Sequence, residues 1–250
     1  MKLVRFLYKK NVSWGILEGN RVVFLKEPPY RRIRRMRLSV ALSKVKLLAP
    51  AEPSKVVCAG LNYRDHASEL NMPLSAEPVI FIKPSTSVIA CGEKIIYPRG
   101  VKRLDYEAEL AIVIKRRCRN ILPGNVGRYI LGYTCLNDVT ARDLQKKDSQ
   151  WTRAKSFDTF CPIGPYLDTA FQPAGRDVRL YLNDQLKQDS STSNFIYGIG
   201  HLVSFISRVM TLLPGDVIST GTPPGVGPMR KGDVVRVEID GLGCLRNLIF

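Results

Sequence analysis

The stretch Leu104-Asp105-Tyr106-Glu107-Ala108-Glu109-Leu110-Ala111-Ile112-Val113-Ile114 alternates acidic with apolar residues and then runs into a β-branched tail. That alternation has the period of a strand, so Asp105, Glu107 and Glu109 project from one face and Tyr106, Ala108 and Leu110 from the other. Three carboxylates on one face repel one another, and the apolar run to Ile114 carries the strand into a core where water cannot relieve them. Cationic side chains or a bound cation remain as partners, and a hard divalent metal suits carboxylate oxygens. An edge strand with a wetted acidic face is the competing reading of the same residues.

At 250 residues, 45% hydrophobic and 24% charged, the chain has the composition of a folded globular protein with a substantial core. No apolar run approaches the roughly 20 residues that cross a bilayer, and Met1 to Lys10 lacks the apolar centre of a signal peptide, so a cytoplasmic location is expected. The six cysteines form no Cys-x-x-Cys pair, and only His66 and His201 could join them, which leaves a thiolate zinc site without support. They read as reduced and mostly buried. A formal charge of +16 attracts anions in general. Its densest run, Tyr30-Arg31-Arg32-Ile33-Arg34-Arg35-Met36-Arg37, is either a solvated face or a phosphate-contacting patch, which keeps a basic nucleic-acid-binding protein as an alternative of another class.

Residues 1–48 read as a small β-rich unit with a hairpin turning at Glu18-Gly19-Asn20, and the proline-rich Ala49 to Ser54 reads as a linker to a second domain, 49–250. Lys55 to Gly60 is a buried strand. Asn62 stands where an N-cap would open a short helix, Tyr63 to Leu70, on which His66 and Glu69 are three apart and adjacent. Such a pair can be a general base with its orienting carboxylate, or an incidental surface pair. Tyr129 to Asn137 alternates as a strand and ends in Asp138, either a functional group at a strand end or the N-cap of a helix over Val139 to Gln145. Arg142 and Gln145 share a face with Asp138. Lys155 lies among aromatic residues that could partly bury it. Asn183-Asp184 signals a hairpin, and Gly198 to Leu213 an amphipathic helix with His201 as a surface or capping residue. Ser219 to Gly227 lacks the Gly-Lys-Ser/Thr ending of a phosphate loop, but its backbone amides can bind a carboxylate.

Five motifs, in order, resemble the fumarylacetoacetate hydrolase family: Gly60-Leu61-Asn62-Tyr63 leading to His66 and Glu69; Asp105 to Leu110; Asn137 to Asp143; Trp151 to Asp158; and Gly221 to Gly227. The likeness runs from Lys55 to the C-terminus and is strongest to the branch that holds 2-hydroxyhepta-2,4-diene-1,7-dioate isomerases, acylpyruvate hydrolases and oxaloacetate decarboxylases. The resemblance implies an α+β, mostly β, mixed β-roll or barrel-like fold, usually dimeric, preceded by the small N-terminal unit. It implies Mg²⁺ or Mn²⁺ held by Glu107, Glu109 and Asp138, with Asp105 outside the ligand set. His66 and Glu69 match the family's catalytic pair on a segment that closes over substrate, and Lys155 is the third catalytic candidate. Arg142, Gln145 and Thr222 match substrate-contacting positions. The expected activity is on a small 2-oxo acid or its enol, as an isomerase or a C–C bond hydrolase, with an oxaloacetate decarboxylase or sugar-acid dehydratase as alternatives.

Overall fold

In a computed structural model, which describes all residues 1–250, the chain forms β1 (Lys2–Tyr8), β2 (Asn11–Glu18), β3 (Arg21–Leu25), β4 (Arg35–Ala41), β5 (Lys46–Leu48), β6 (Lys55–Gly60), α1 (Arg64–Glu69), β7 (Val79–Pro84), β8 (Val88–Ala90) and β9 (Lys94–Ile95). Next come β10 (Leu104–Tyr106), β11 (Ala108–Ile114), β12 (Ile130–Asn137), β13 (Thr140–Ala141), α2 (Arg142–Lys147), α3 (Thr152–Lys155), β14 (Cys161–Asp168), β15 (Asp177–Leu182) and β16 (Gln185–Ser191). The last elements are α4 (Ile199–Val209), β17 (Val217–Ser219), β18 (Gly227–Met229), β19 (Val234–Ile239) and β20 (Gly243–Ile249).

The fold is mostly β, as expected. A 12-stranded sheet runs in the order β4-β3-β2-β1-β14-β12-β11-β17-β6-β7, with β5 on β1 and β8 on β14. Its ends, β4 and β7, do not meet, so the curved sheet is an open roll and no barrel closes. A five-stranded sheet, β16-β15-β19-β20-β9, and a three-stranded one, β13-β10-β18, complete the architecture. β1 pairs with β14 at Leu3↔Leu167, which makes the N-terminal strands a continuation of the large sheet. They also share a small apolar cluster, Val4, Phe6, Val22, Phe24 and Val40, with Tyr166 of β14.

Every residue of β11 is buried. Leu110 packs in the core that includes Leu180 and Val237 of the five-stranded sheet. Ile112 and Ile114, on the same face, meet Leu202, Val203 and Ile206 of α4. Ala111 and Val113 face Leu3, Ile163 and Val217 on the other side. A strand covered on both faces reads as a continuous apolar run, and the residues from Leu110 to Ile114 form such a run. The turn at Asn183-Asp184 has positive φ at both residues, 50° and 61°, which suits the twist of a two-residue hairpin.

Three local expectations are corrected. The helix near His66 begins at Arg64, and Asn62 does not cap it: its Nδ2 donates to the Thr220 and Tyr197 carbonyls at 2.7 and 3.2 Å, and its Oδ1 accepts from the Tyr197 N–H at 2.8 Å. The helix after Asp138 begins only at Arg142, because Thr140 and Ala141 pair with β10 first. The helix expected over Gly198 to Leu213 ends at Val209.

Candidate active site

The acidic stretch is not one strand. β10 pairs with β13 and β18, β11 pairs with β12 and β17 in the large sheet, and Glu107 sits at the break between them. Side chains take over the backbone bonds there: the Glu107 N–H donates to Asn137 Oδ1 at 3.0 Å and the Ala108 N–H to Gln188 Oε1 at 2.9 Å. The chain changes sheets at this point, and Glu107 and Glu109 are brought together with Asp138, which lies just past the end of β12. One carboxylate oxygen from each of the three lies within 4.8 Å of the others, and all three residues are buried.

The partners of these carboxylates are unequal. Lys83 Nζ and Lys155 Nζ each hold one oxygen of Asp138, the second at 2.7 Å. Glu107 accepts from Lys155 Nζ at 2.9 Å and from Arg142 Nη2 at 2.5 Å. Burial works against the charge of Glu107, but Lys155 and Arg142 outweigh it and bring the carboxyl down to about 2. Burial likewise opposes the Lys155 ammonium, and Asp138 and Glu107 overcome it and raise its pKa. Glu109 has no cation of its own. It accepts only from Ser219 Oγ and from the Gly221 N–H at 2.7 Å, and burial with repulsion from Asp138 and Glu107 drives its pKa well above the carboxylate range. A divalent cation at the triad would supply the charge Glu109 lacks, and three buried carboxylates match its preference for oxygen. The donor set therefore fits the group.

A pocket of about 440 Å³ opens over these residues and is lined by Glu107, Glu109, Arg142, Gln145, Lys155, Thr222 and His66, among others. His66 Nδ1 is 2.7 Å from Glu69 Oε2. A carboxylate accepts, so Nδ1 is the donor, and in the neutral ring Nε2 keeps its lone pair. Glu69 Oε1 in turn accepts from the Gly225 N–H at 3.0 Å. The glycine-rich loop thus binds carboxylates through its amides, and they are the protein's own: Glu109 through Gly221 and Glu69 through Gly225. Arg142 Nη1 donates to Gln145 Oε1 at 2.5 Å, and Arg142 Nε to Asp105 Oδ2 at 2.8 Å. Asp105 is fully buried and also accepts from Arg103 Nε at 2.8 Å. Leu70, Met72, Phe81 and Trp151 give the pocket an apolar wall, while Arg103 and Lys146 give it a basic one.

Seven of the nine candidate residues line the pocket; Asp138 lies behind it, joined through the triad, and Glu69 reaches it through His66. His201 is exposed and stacks on Tyr197, away from this group. Lys83, Gln188, Arg103 and Lys146 join the site without having been expected there. Lys83 carried a signal: it shares a strand face with Phe81, an unusual place for a lysine unless it is paired. Gln188 carried none, because it lies in a polar hairpin strand.

The pattern described as fumarylacetoacetate (FAA) hydrolase C-terminal matches residues 55–250, and one described as Rv2993c-like, N-terminal matches residues 1–50. The crystal structure of a 5-carboxymethyl-2-hydroxymuconate delta-isomerase from Mycobacterium smegmatis is 42% identical, with a TM-score of 0.95 over 100% of this chain and 99% of that one. A mitochondrial oxaloacetate tautomerase of Xenopus laevis is 43% identical over 82% of this chain and 68% of its own length. A maleylpyruvate hydrolase from Sphingobium sp. SYK-6, in complex with manganese(II) and pyruvate, is 29% identical with a TM-score of 0.83, covering 100% and 98% of the two chains.

Proposed function

The chain belongs to the fumarylacetoacetate hydrolase family, and on that premise we propose that it is a Mg²⁺- or Mn²⁺-dependent isomerase that moves a proton along a small 2-oxo dicarboxylic acid or its enol. The observation that carries this reading is one pocket lined by Glu107 and Glu109, which form a buried triad with Asp138, and by His66, which is paired with Glu69. When bound, the cation supplies positive charge for the carboxylate and keto oxygens of the substrate as negative charge develops on them. Arg142, steadied by Asp105 and Gln145, orients the 2-oxo acid, and Thr222 offers a hydroxyl from the opposite loop. His66 Nε2 takes a proton from the carbon beside the keto group and returns it further along the chain, with Glu69 holding the ring. Lys155 keeps an ammonium group beside the developing charge. The basic wall of Arg103 and Lys146 supports a second carboxylate at the far end of the substrate.

The likeness to an isomerase and a tautomerase above 40% identity supports proton movement as the first reading. The likeness to a hydrolase supports a second, in which His66 deprotonates a water that attacks a distal carbonyl. Tracing solvent deuterium into oxaloacetate by proton NMR tests the first. His66→Ala should slow exchange by about 100-fold or more, the usual worth of a positioned base, while Mg²⁺ still binds. Exchange at the parent rate in that variant would sink the role of His66.

A further inference from the structure

Gln188 stands outside the pocket on β16, fully enclosed, and its side chain spans two parts of the site. Its Oε1 accepts from the N–H of Ala108, the residue between Glu107 and Glu109, at 2.9 Å. Its Nε2 donates to Thr222 Oγ1 at 2.9 Å and to the Pro223 carbonyl at 2.8 Å. Those partners settle which end of the amide is which: an N–H faces Oε1 and a carbonyl faces Nε2. Thr222 Oγ1 accepts, so its own proton is left over, and no carbonyl or carboxylate of the chain takes it. Thr222 lines the pocket, and the pocket is where that proton can be used. The loop also packs closely: a Cβ on Gly225 would lie 2.3 Å from the Lys187 carbonyl oxygen, and one on Gly221 would lie 2.8 Å from Asn62 Cβ, so both ends of the turn approach their neighbours too closely for a side chain.

We propose that Gln188 is a positioning residue that occupies the acceptor side of the Thr222 hydroxyl and turns its proton into the pocket, ready to donate to an oxygen of an anionic substrate. An unheld threonine hydroxyl rotates freely and must be ordered when the substrate arrives; one that already accepts from Gln188 cannot turn its proton toward that amide, which leaves fewer directions for it to donate in. The inference rests on the reading of the pocket as a 2-oxo acid site.

A double-mutant cycle tests it, with oxalate as the probe in the presence of Mg²⁺, binding read by calorimetry and turnover read as KM and kcat. Thr222→Val should weaken oxalate about tenfold, as expected for one hydrogen bond to a charged group. Gln188→Met should weaken it about fivefold and raise KM more than it lowers kcat. The double variant should be within about twofold of Thr222→Val, because a residue acting through another adds nothing once the other is gone. Gln188→Asn keeps a neutral amide, covers the case in which the methionine variant fails to fold, and should bind Mg²⁺ alone within about twofold of the parent while weakening oxalate. Effects of Gln188→Met and Thr222→Val that multiply in full would overturn the inference, as would loss of Mg²⁺ affinity in Gln188→Asn. Unchanged oxalate binding in Thr222→Val would remove Thr222 from the site and the inference with it, while leaving the isomerase reading intact. A parent protein that neither binds oxalate nor turns over a 2-oxo acid would overturn that reading itself.

Discussion

Two regions of this molecule are dense in charge, and they behave oppositely. At the break between β10 and β11, Asp105, Glu107 and Asp138 meet Lys83, Arg103, Arg142 and Lys155 around an unpaired Glu109, with the four acids, Lys83 and Lys155 all buried. Along the N-terminal edge, Arg31, Arg32, Arg34, Arg35 and Arg37 are all exposed. Arg34 meets Glu27 at 3.6 Å and Arg35 meets Glu18 at 2.8 Å, with both arginine side chains more than half in solvent. Exposed pairs of that kind contribute about 0–1 kcal/mol and fade with salt. Breaking a buried pair costs about 3–5 kcal/mol, because the abandoned charge has no water to turn to. The number of charges along the chain does not distinguish the two regions; their distance from water does.

The largest effect should come from Glu109→Gln. It removes the triad member that has no cation partner, and Mg²⁺ affinity and turnover should fall together by about 100-fold or more, the upper range for disturbing a metal site. Titration of Mg²⁺ by calorimetry alongside the assay checks this, and parent-like values for both would separate the triad from the function.

Lys83→Met comes next. It keeps the volume but strands one oxygen of Asp138 in a dry interior, at an expected cost of about 3 kcal/mol. Denaturant unfolding measures it. A loss below about 1 kcal/mol, the surface-pair range, would show that the buried and exposed regions do not differ as argued.

The smallest effect belongs to the basic edge. Replacing Arg31, Arg32, Arg34 and Arg35 with serine should leave 2-oxo acid turnover unchanged and shift stability by no more than about 1 kcal/mol. Nucleic-acid binding by the parent should be weak, nonspecific and abolished by moderate salt. No aromatic residue beyond Tyr30 interleaves the arginines to stack on bases, and β4 offers no recognition helix. Tight, sequence-selective binding that the four substitutions remove would promote the edge to a functional surface.

Much of the site was legible in the chain because contacts between neighbours on one element follow from residue type and spacing. The i,i+3 spacing of His66 and Glu69 foretold their contact, since α1 puts such positions side by side. The alternation from Asp105 to Glu109 foretold carboxylates held together, though the strand proved to be two. Periodicity along a sequence describes one element at a time and carries no sign that the chain will leave one sheet for another at Glu107. Asn62 shows a related limit: an asparagine ahead of a helix has the local form of a cap, but its amide bonds to Thr220 and Tyr197, far along the chain.

The sequence by itself determined the predominance of strands, the oxygen-only chemistry of the acidic stretch and the pairing of His66 with Glu69. Those properties depend on side-chain type and on neighbours within a few residues. Only the tertiary structure decided that Lys83 and Lys155 would share Asp138, that Glu109 would be left without a cation, and that Gln188 would reach both Ala108 and Thr222. Each of these depends on which distant strands come within hydrogen-bond reach and on how completely water is excluded where they meet, and neither quantity is defined until the sheets have packed.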